Sequence, residues 1–248
     1  MQRDGEVAVL RLQGGKANAM DEAFLKGVLR LFDEVESSDA RAVVVTGYGS
    51  FFSAGLALPV LVGLDRTGLT AFMALFDSVM RRVFSFPRPV VAAVNGHAIA
   101  GGCVLALQCD LRLIADAPIK IGLNEVQLGL GLPSVVIEPL RLQLPASSLV
   151  PIALEGTLLT PDEARRLGLV GEVVPAAELL PRAMARARSL ARGTPLALAQ
   201  IKRALRGPSL ERIQEESKRQ SEIWLDAWFS PMTQERIGNA VAQLTARG

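Results

Sequence analysis

Residues 90–103 read VVAAVNGHAIAGGC and decide the fold of this chain. The apolar run Val90 to Val94 is typical of a strand that is buried on both faces. A glycine-rich turn separates it from an apolar run, Val104 to Gln108, that reads as a helix. The first turn of a helix offers unpaired backbone N–H groups and the positive end of the helix dipole. Because glycines let another group approach this backbone closely, the turn is a candidate site for an oxygen that gains negative charge.

Strands and helices alternate over the first two-thirds of the sequence, which implies parallel βαβ units. The pattern predicts strands at 7–12, 41–46, 90–94, 110–115, 120–123 and 169–174. It also predicts helices at 21–36, with Asp21 as the N-cap, and at 69–84. From Ala176 onward the pattern is helical, with expected breaks at 193–195, 207–209 and 230–231. The apolar residues of this C-terminal region, Trp224 and Trp228 among them, need a partner within the chain or in another subunit.

The composition argues against several classes of function. The chain has 248 residues, half of them apolar, and a net charge of +2, so we expect neither a nucleic-acid nor a membrane partner. A single histidine makes a histidine-based metal site or a Ser-His-Asp triad improbable. The two cysteines, Cys103 and Cys109, lie in apolar surroundings and are expected to be buried thiols. Because no signal-peptide pattern precedes the first strand, a cytoplasmic location is expected.

A second segment, FFSAGLAL at residues 51–58, bends at Gly55. The backbone N–H of Leu56 can point outward there, as that of Gly101 can in the first segment. Two N–H groups aimed at one carbonyl oxygen form an oxyanion hole. Considered alone, this segment fits a simple β-turn equally well.

Three stretches, 52–58, 91–102 and 122–129, resemble in order and spacing the signature stretches of the crotonase (enoyl-CoA hydratase/isomerase) superfamily. The resemblance implies an α/β fold with a repeated ββα spiral core and a helical C-terminal trimerisation region. We expect the core to span residues 1–190 and the oligomerisation region 191–248. The implied substrates are acyl-CoA thioesters. No separate cofactor is expected, because coenzyme A is part of the substrate, and a homotrimer or hexamer is implied.

The same resemblance assigns the catalytic groups. It places the thioester oxygen between the N–H groups of Leu56 and Gly101, and makes Glu125 the acid–base group. The sequence pattern alone favours a surface loop carboxylate for Glu125. Apolar neighbours of Glu125 would raise its pKa, which suits proton transfer near neutral pH. Ala57 stands where the family often has an acidic residue that supports the loop geometry and contacts with coenzyme A. The residues assigned to substrate binding are Lys16, which fits a solvated turn lysine equally well, Ala17, Ala54, Leu56, Leu58, Gly101 and Asn124.

The type of reaction depends on position 104. The hydratases of the family have two glutamates, and the second corresponds to Val104 here. A lone Glu125 can take a proton from C2 and return it at C4, so the sequence favours a Δ3,Δ2-enoyl-CoA isomerase of the mitochondrial type. The alternatives are an enoyl-CoA hydratase, another crotonase-type lyase, or a non-catalytic acyl-CoA-binding homologue. Glu138 is a less favoured acid for the acyl pocket. The candidates for an acyl tunnel, which can equally be ordinary core, are Leu58, Leu61, Val62, Leu64, Phe72 and Phe76.

Overall fold

The computed structural model describes residues 1–246, except for the side chains of Lys16 and Thr245. The strands are β1 (Gln2–Asp4), β2 (Val7–Arg11), β3 (Ala42–Thr46), β4 (Phe51–Ser53), β5 (Val90–Val94), β6 (His97–Ile99), β7 (Leu111–Asp116), β8 (Ile121–Gly122) and β9 (Glu172–Pro175). The helices are α1 (Glu22–Glu36), α2 (Leu58–Leu61), α3 (Arg66–Phe84), α4 (Gly101–Gln108), α5 (Ser134–Gln143), α6 (Pro161–Arg166), α7 (Leu179–Leu190), α8 (Pro195–Trp228) and α9 (Pro231–Ala246).

The strands form two sheets. The larger has the order β1-β2-β3-β5-β7-β9, in which only the pairing of β1 with β2 is antiparallel. The smaller has the order β4-β6-β8 and is parallel throughout. Three consecutive units follow one plan: a strand of the larger sheet (β3, β5 or β7), a strand of the smaller sheet (β4, β6 or β8), and a helix further along the chain (α3, α4 or α5). This is the repeated ββα core that the sequence led us to expect.

Local signals explain why the main helices begin where they do. The carboxylate of Asp21 accepts a hydrogen bond from the Phe24 N–H at 2.7 Å, which confirms the predicted N-cap of α1. Helix α1 then buries five apolar side chains in the core, each worth about 1.5–3 kcal/mol if fully removed from water. Thr160 and Glu163 form a capping box at the start of α6, where Pro161 occupies the first turn. Every residue of β3 and of β5 is buried, as predicted for strands covered on both faces.

Two predictions of secondary structure were wrong. Residues 95–100 are not a simple turn, because His97–Ile99 forms β6 between β4 and β8. The C-terminal region does not break at 207–209, because α8 runs continuously from Pro195 to Trp228 with Pro208 in its interior. Arg206, Ser209 and Ile213 are buried on either side of this proline. Their packing against the core outweighs the local cost of a proline in a helix.

The C-terminal helices bury part of their apolar surface against other parts of the same chain. Trp224 and Trp228 are buried, with ring centroids 5.3 Å apart. Ile223 and Phe229 remain exposed. Within residues 1–246, no helix combines the length and the apolar character needed to cross a bilayer.

Candidate active site

Three loops meet at one edge of the smaller sheet. Strand β4 leads into Ala54 to Leu56, β6 into Ala100 and Gly101, and β8 into Asn124 and Glu125. Because β4, β6 and β8 are adjacent and parallel, their carboxyl ends lie side by side. Ligand sites of parallel sheets commonly lie beyond the carboxyl ends of the strands. The fold therefore brings together segments that are separated by up to 70 residues.

The Gly55 and Gly101 backbones approach each other so closely that a side chain on Gly55 has no room. Gly55 has φ +85°, and a Cβ atom there would lie 2.7 Å from the Ile99 carbonyl oxygen and 3.0 Å from the Gly101 nitrogen. A Cβ on Gly101 would lie 3.6 Å from the Leu56 nitrogen. Within the described residues, neither the Leu56 N–H nor the Gly101 N–H donates to a protein acceptor. Two backbone N–H groups in neighbouring loops are thus left without a protein acceptor.

Hydrogen bonds on either side hold this pair of donors. The Met20 N–H donates to the Gly55 carbonyl at 2.7 Å, and the Ala57 N–H donates to the Met20 carbonyl at 3.0 Å. Ala100 has φ 47° and ψ −118°, a conformation that non-glycine residues rarely adopt. Its N–H donates to Gly122 and its carbonyl accepts from Val104, both at 2.9 Å. These bonds fix the strained turn from which α4 starts.

A cavity of about 250 Å³ opens onto these two amides. Its walls come from the three loops and from α2, α3, α4, α5, α8 and α9. Among the described residues that line it, Glu125 is the only one with an ionisable side chain. The lining residues are Ala54, Leu56, Leu58, Met73, Phe76, Ile99, Ala100, Gly101, Val104, Asn124, Glu125, Leu128, Leu130, Gly131, Pro133, Val136, Trp224, Ala240, Gln243 and Leu244.

Glu125 begins a short 3-10 turn, Glu125–Leu128, directly after Asn124. Its Oε2 atom is buried, as is Oδ1 of Asn124, and neither has a hydrogen-bond partner in the described part of the chain. Burial raises the pKa of Glu125 to about 7, against an opposing hydrogen bond from its own backbone. A carboxyl group with this pKa can both accept and donate a proton near neutral pH.

The raised pKa of Glu125 predicts a pH-dependent cost in stability. The folded protein holds this proton more tightly than the unfolded chain, so its free energy of unfolding falls as pH rises from about 4.5 to about 7. For a shift of this size the loss is about 3 kcal/mol. Glu125→Gln removes the titrating group, so its stability relative to the wild type should rise by about this amount across that range. Urea unfolding at several pH values measures this, with Glu235→Gln on the exposed surface of α9 as the control. Equal pH profiles for wild type and Glu125→Gln would contradict the prediction.

Most of the residues selected from the sequence line the cavity. Leu56, Gly101 and Glu125 do so together with Ala54, Leu58 and Asn124. Ala17, by contrast, lies outside the lining, where its carbonyl accepts a hydrogen bond from the Ala54 N–H at 3.0 Å. The side chain of Lys16 lies outside the described part of the structure. The predicted roles of Lys16 and Ala17 in binding remain predictions.

The structure places the other acid elsewhere. Glu138 is buried between α5 and α8, where its Oε2 atom lies 2.6 Å from Nη2 of Arg212, and it is not among the cavity residues. Of the six candidates for an acyl tunnel, Leu58 and Phe76 line the cavity. Leu61 and Phe72 are core residues, and Val62 is exposed. The predicted buried thiols are confirmed, because both Cys103 and Cys109 are free and fully enclosed.

Several residues that line the cavity were not predicted from the sequence. Met73 on α3 and Val136 on α5 carry no local signal that separates them from ordinary core. Trp224, Gln243 and Leu244 lie about a hundred residues or more after Glu125 in the chain, and only the folding of α8 and α9 over the site brings them to it. The unpartnered aromatic residues of the C-terminal region were the one signal that this region covers something.

This fold and this site define a class of protein, and comparisons agree with it. The sequence profile described as "Enoyl-CoA hydratase/isomerase" matches residues 2–243. A relative from Thermus thermophilus, provisionally named an enoyl-CoA hydratase, is 36% identical over 217 residues, which is 84% of each chain. The short-chain-enoyl-CoA hydratase of Clostridium acetobutylicum is 32% identical over 208 residues, covering 83% of this chain and 79% of that one. The chain therefore belongs to the enoyl-CoA hydratase/isomerase family.

Among solved structures, human mitochondrial Δ3-Δ2-enoyl-CoA isomerase superposes with a TM-score of 0.92. The match has 26% sequence identity and covers 98% of this chain and 95% of the human one. The crotonase fold predicted from the sequence is thereby confirmed.

Proposed function

We propose that this protein is a Δ3,Δ2-enoyl-CoA isomerase that acts on acyl-CoA thioesters. The observation that supports the proposal is that Glu125 carries the one carboxyl group among the described residues that line the cavity, to which α4 contributes the apolar Val104. The likeness to the human isomerase over nearly the whole chain is a second support.

The proposed reaction is a proton transfer within one substrate. The thioester oxygen accepts hydrogen bonds from the Leu56 and Gly101 amides. The Glu125 carboxylate removes a proton from C2, and the electrons of the C–H bond form a dienolate whose negative charge rests largely on that oxygen. The protonated Glu125 then delivers the proton to C4, so the double bond moves from the 3,4 to the 2,3 position and the carboxylate is regenerated.

The test is the isomerisation of a 3-enoyl-CoA, followed by the absorbance of the conjugated product. Because the carboxylate form of Glu125 starts the reaction, kcat/KM for this substrate should fall as pH drops below about 7. Tight binding of acyl-CoA without turnover of any enoyl-CoA would reject the proposal and favour a non-catalytic binding protein.

Enoyl-CoA hydration is the second candidate, because hydratases stand among the relatives. Besides the Clostridium enzyme, the 2,3-dehydroadipyl-CoA hydratase of Escherichia coli is 32% identical over 212 residues. Hydration of crotonyl-CoA that is faster than isomerisation would favour this reading. Activity that survives Glu125→Ala would point to a different active group.

Val104→Glu should shift the balance towards hydration. Val104 is 1% exposed and lies one helical turn after Gly101, so a carboxylate there enters the same cavity as Glu125. Two carboxylates can hold and deprotonate a water molecule, and we expect the ratio of hydration to isomerisation to rise at least about tenfold. Val104→Gln is the matched control, since it adds a polar side chain of the same size without the charge. An unchanged ratio in a folded Val104→Glu protein contradicts the expectation.

We also propose a homotrimer or hexamer in the cytoplasm. The exposed apolar side chains of Leu196, Ile201 and Leu205 on the first half of α8 support association between copies. Light scattering gives the mass directly, and a monomer at micromolar concentration would overturn this part of the proposal.

A further inference from the structure

Behind the candidate site lies a buried arginine that pairs with no carboxylate in the described part of the chain. Arg112 on β7 is 8% exposed. Its Nε donates to the Leu169 carbonyl at 2.7 Å, and its Nη1 donates to the Cys109 carbonyl at 3.1 Å and to Oε1 of Gln143 at 2.8 Å. No carboxylate oxygen of residues 1–246 lies within 4.0 Å of its guanidinium nitrogens. A buried charge paired only with neutral groups is costly, which raises the question of what it does here.

Arg112 belongs to a cluster that carries excess positive charge. Arg206 and Lys202, both on α8, share the single carboxylate Asp110 at 2.8 and 2.7 Å. We call Arg112, Arg206, Lys202 and Asp110 the cation cluster. It contains three cations and one anion, and the side chains of Arg206 and Lys202 are 7% and 11% exposed.

The cation cluster caps the end of α4 that lies away from the cavity. Arg206 donates to the carbonyls of Gln108 at 3.0 Å and Cys109 at 3.4 Å, and Arg112 donates to Cys109 as well. The opposite end of α4 begins at Gly101, which is one of the residues that line the cavity. With eight residues the helix is about 12 Å long. Cations at its C-terminus offset the negative end of the helix dipole, which otherwise opposes an anion at the N-terminus.

We propose that Arg112 is a positioning residue that acts through α4 to stabilise negative charge on an oxygen held at the Gly101 amide. The inference rests on the proposed function, because it requires an enolate oxygen there. The attraction between a unit positive charge and an enolate oxygen about 15 Å away, at an effective dielectric constant of about 20, corresponds to a roughly five- to tenfold faster isomerisation. A neutral thioester oxygen responds much less than an enolate oxygen. Removing the charge of Arg112 should therefore lower kcat and leave KM nearly unchanged.

Arg112→Met and Arg112→Lys test this role with two readouts. The first is kcat and KM for the isomerisation of a 3-enoyl-CoA. The second is the fraction of enzyme-bound acetoacetyl-CoA that is present as its enolate, read from the near-ultraviolet absorbance of the enolate. Arg141→Met is the matched control, because it removes an arginine whose side chain is 64% exposed on α5 and caps no carbonyl of α4.

The expected result is a fall of about five- to tenfold in kcat and in the enolate ratio for Arg112→Met, with KM unchanged. Arg112→Lys should keep both within about threefold of the wild type, since the three oxygens around position 112 favour a charged ammonium group. Arg141→Met should match the wild type. Equal losses in Arg112→Lys and Arg112→Met would show that hydrogen bonding alone matters and would overturn the inference, as would an unchanged enolate ratio in Arg112→Met. A wild type that binds the enolate but does not isomerise would instead reject the proposed function.

Discussion

Replacing Glu125 by glutamine is expected to lower kcat for 3-enoyl-CoA isomerisation by about 10³-fold, within the range of 10² to 10⁴ usual for a general acid–base group. Glutamine has nearly the same shape as glutamate, so the cavity keeps its form while the group that carries the proton is lost. KM should change little, because the proposed reaction assigns the thioester oxygen to the Leu56 and Gly101 amides rather than to Glu125. Steady-state kinetics with purified wild-type and variant protein provide the measurement.

Two controls separate this chemical role from a structural one. Glu235→Gln makes the same change on the exposed surface of α9 and should leave kcat unchanged. Unfolding measured above pH 7 should show Glu125→Gln to be more stable than the wild type, because the cost of burying an ionised carboxylate disappears. A loss of activity that comes with a gain in stability is the usual sign of a functional group kept at the expense of the fold. A Glu125→Gln protein with a kcat within tenfold of the wild type contradicts the assignment.

The elements that could be predicted from the sequence are those whose determinants are local. The start of α1 depends on Asp21 and Phe24, which are three residues apart, and the start of α6 depends on Thr160 and Glu163. Strands β3 and β5 lie wholly in the core, so their continuous apolar runs are visible without knowledge of the neighbours.

Strand β8 of the smaller sheet falls within the strand predicted at 120–123, but β4 and β6 could not be predicted, because nothing in three residues distinguishes a short strand from a turn. Strand β6 exists through partners far away in the chain: the Ala98 N–H donates to the Lys120 carbonyl at 2.9 Å, and the His97 N–H donates to Ser50 at the same distance. The continuity of α8 through Pro208 has the same kind of cause. Arg206 and Ile213 are buried by contacts outside their own helix, and these contacts outweigh the low helix propensity of Pro208.

The site was predictable only in part, and mainly through the family resemblance. A glycine turn before a helix pointed to Gly101, but pattern alone would have favoured a surface carboxylate for Glu125. Its surroundings depend on α8 and α9, which supply Trp224 and Leu244 to the cavity. Only the assembled fold buries the carboxyl group enough to raise its pKa to about 7.

Gly101→Ala is expected to reduce kcat/KM for isomerisation by about 10²- to 10³-fold, the size seen when one donor of an oxyanion hole is lost. The added methyl group would lie 3.6 Å from the Leu56 nitrogen and 3.3 Å from the Gly55 Cα atom, in the space to which the proposed reaction assigns the thioester oxygen. Gly101 has no positive φ and starts a helix, so alanine fits its backbone. The nearest contact is Sδ of Met20 at 3.1 Å, on a flexible side chain that needs to move only slightly.

Gly27→Ala is the matched control for this substitution, because it adds the same methyl group inside α1, where nothing lies within 4 Å. It should keep full activity and gain up to about 1 kcal/mol of stability from its helical propensity. The binding of acetoacetyl-CoA then distinguishes the role of the Gly101 amide from that of the Glu125 carboxylate. Gly101→Ala should lose the enolate form because its oxygen is no longer held, whereas Glu125→Gln should still bind an enolate that is formed in solution. A folded Gly101→Ala protein that binds the enolate and isomerises at the wild-type rate would place the thioester oxygen somewhere other than between these two amides.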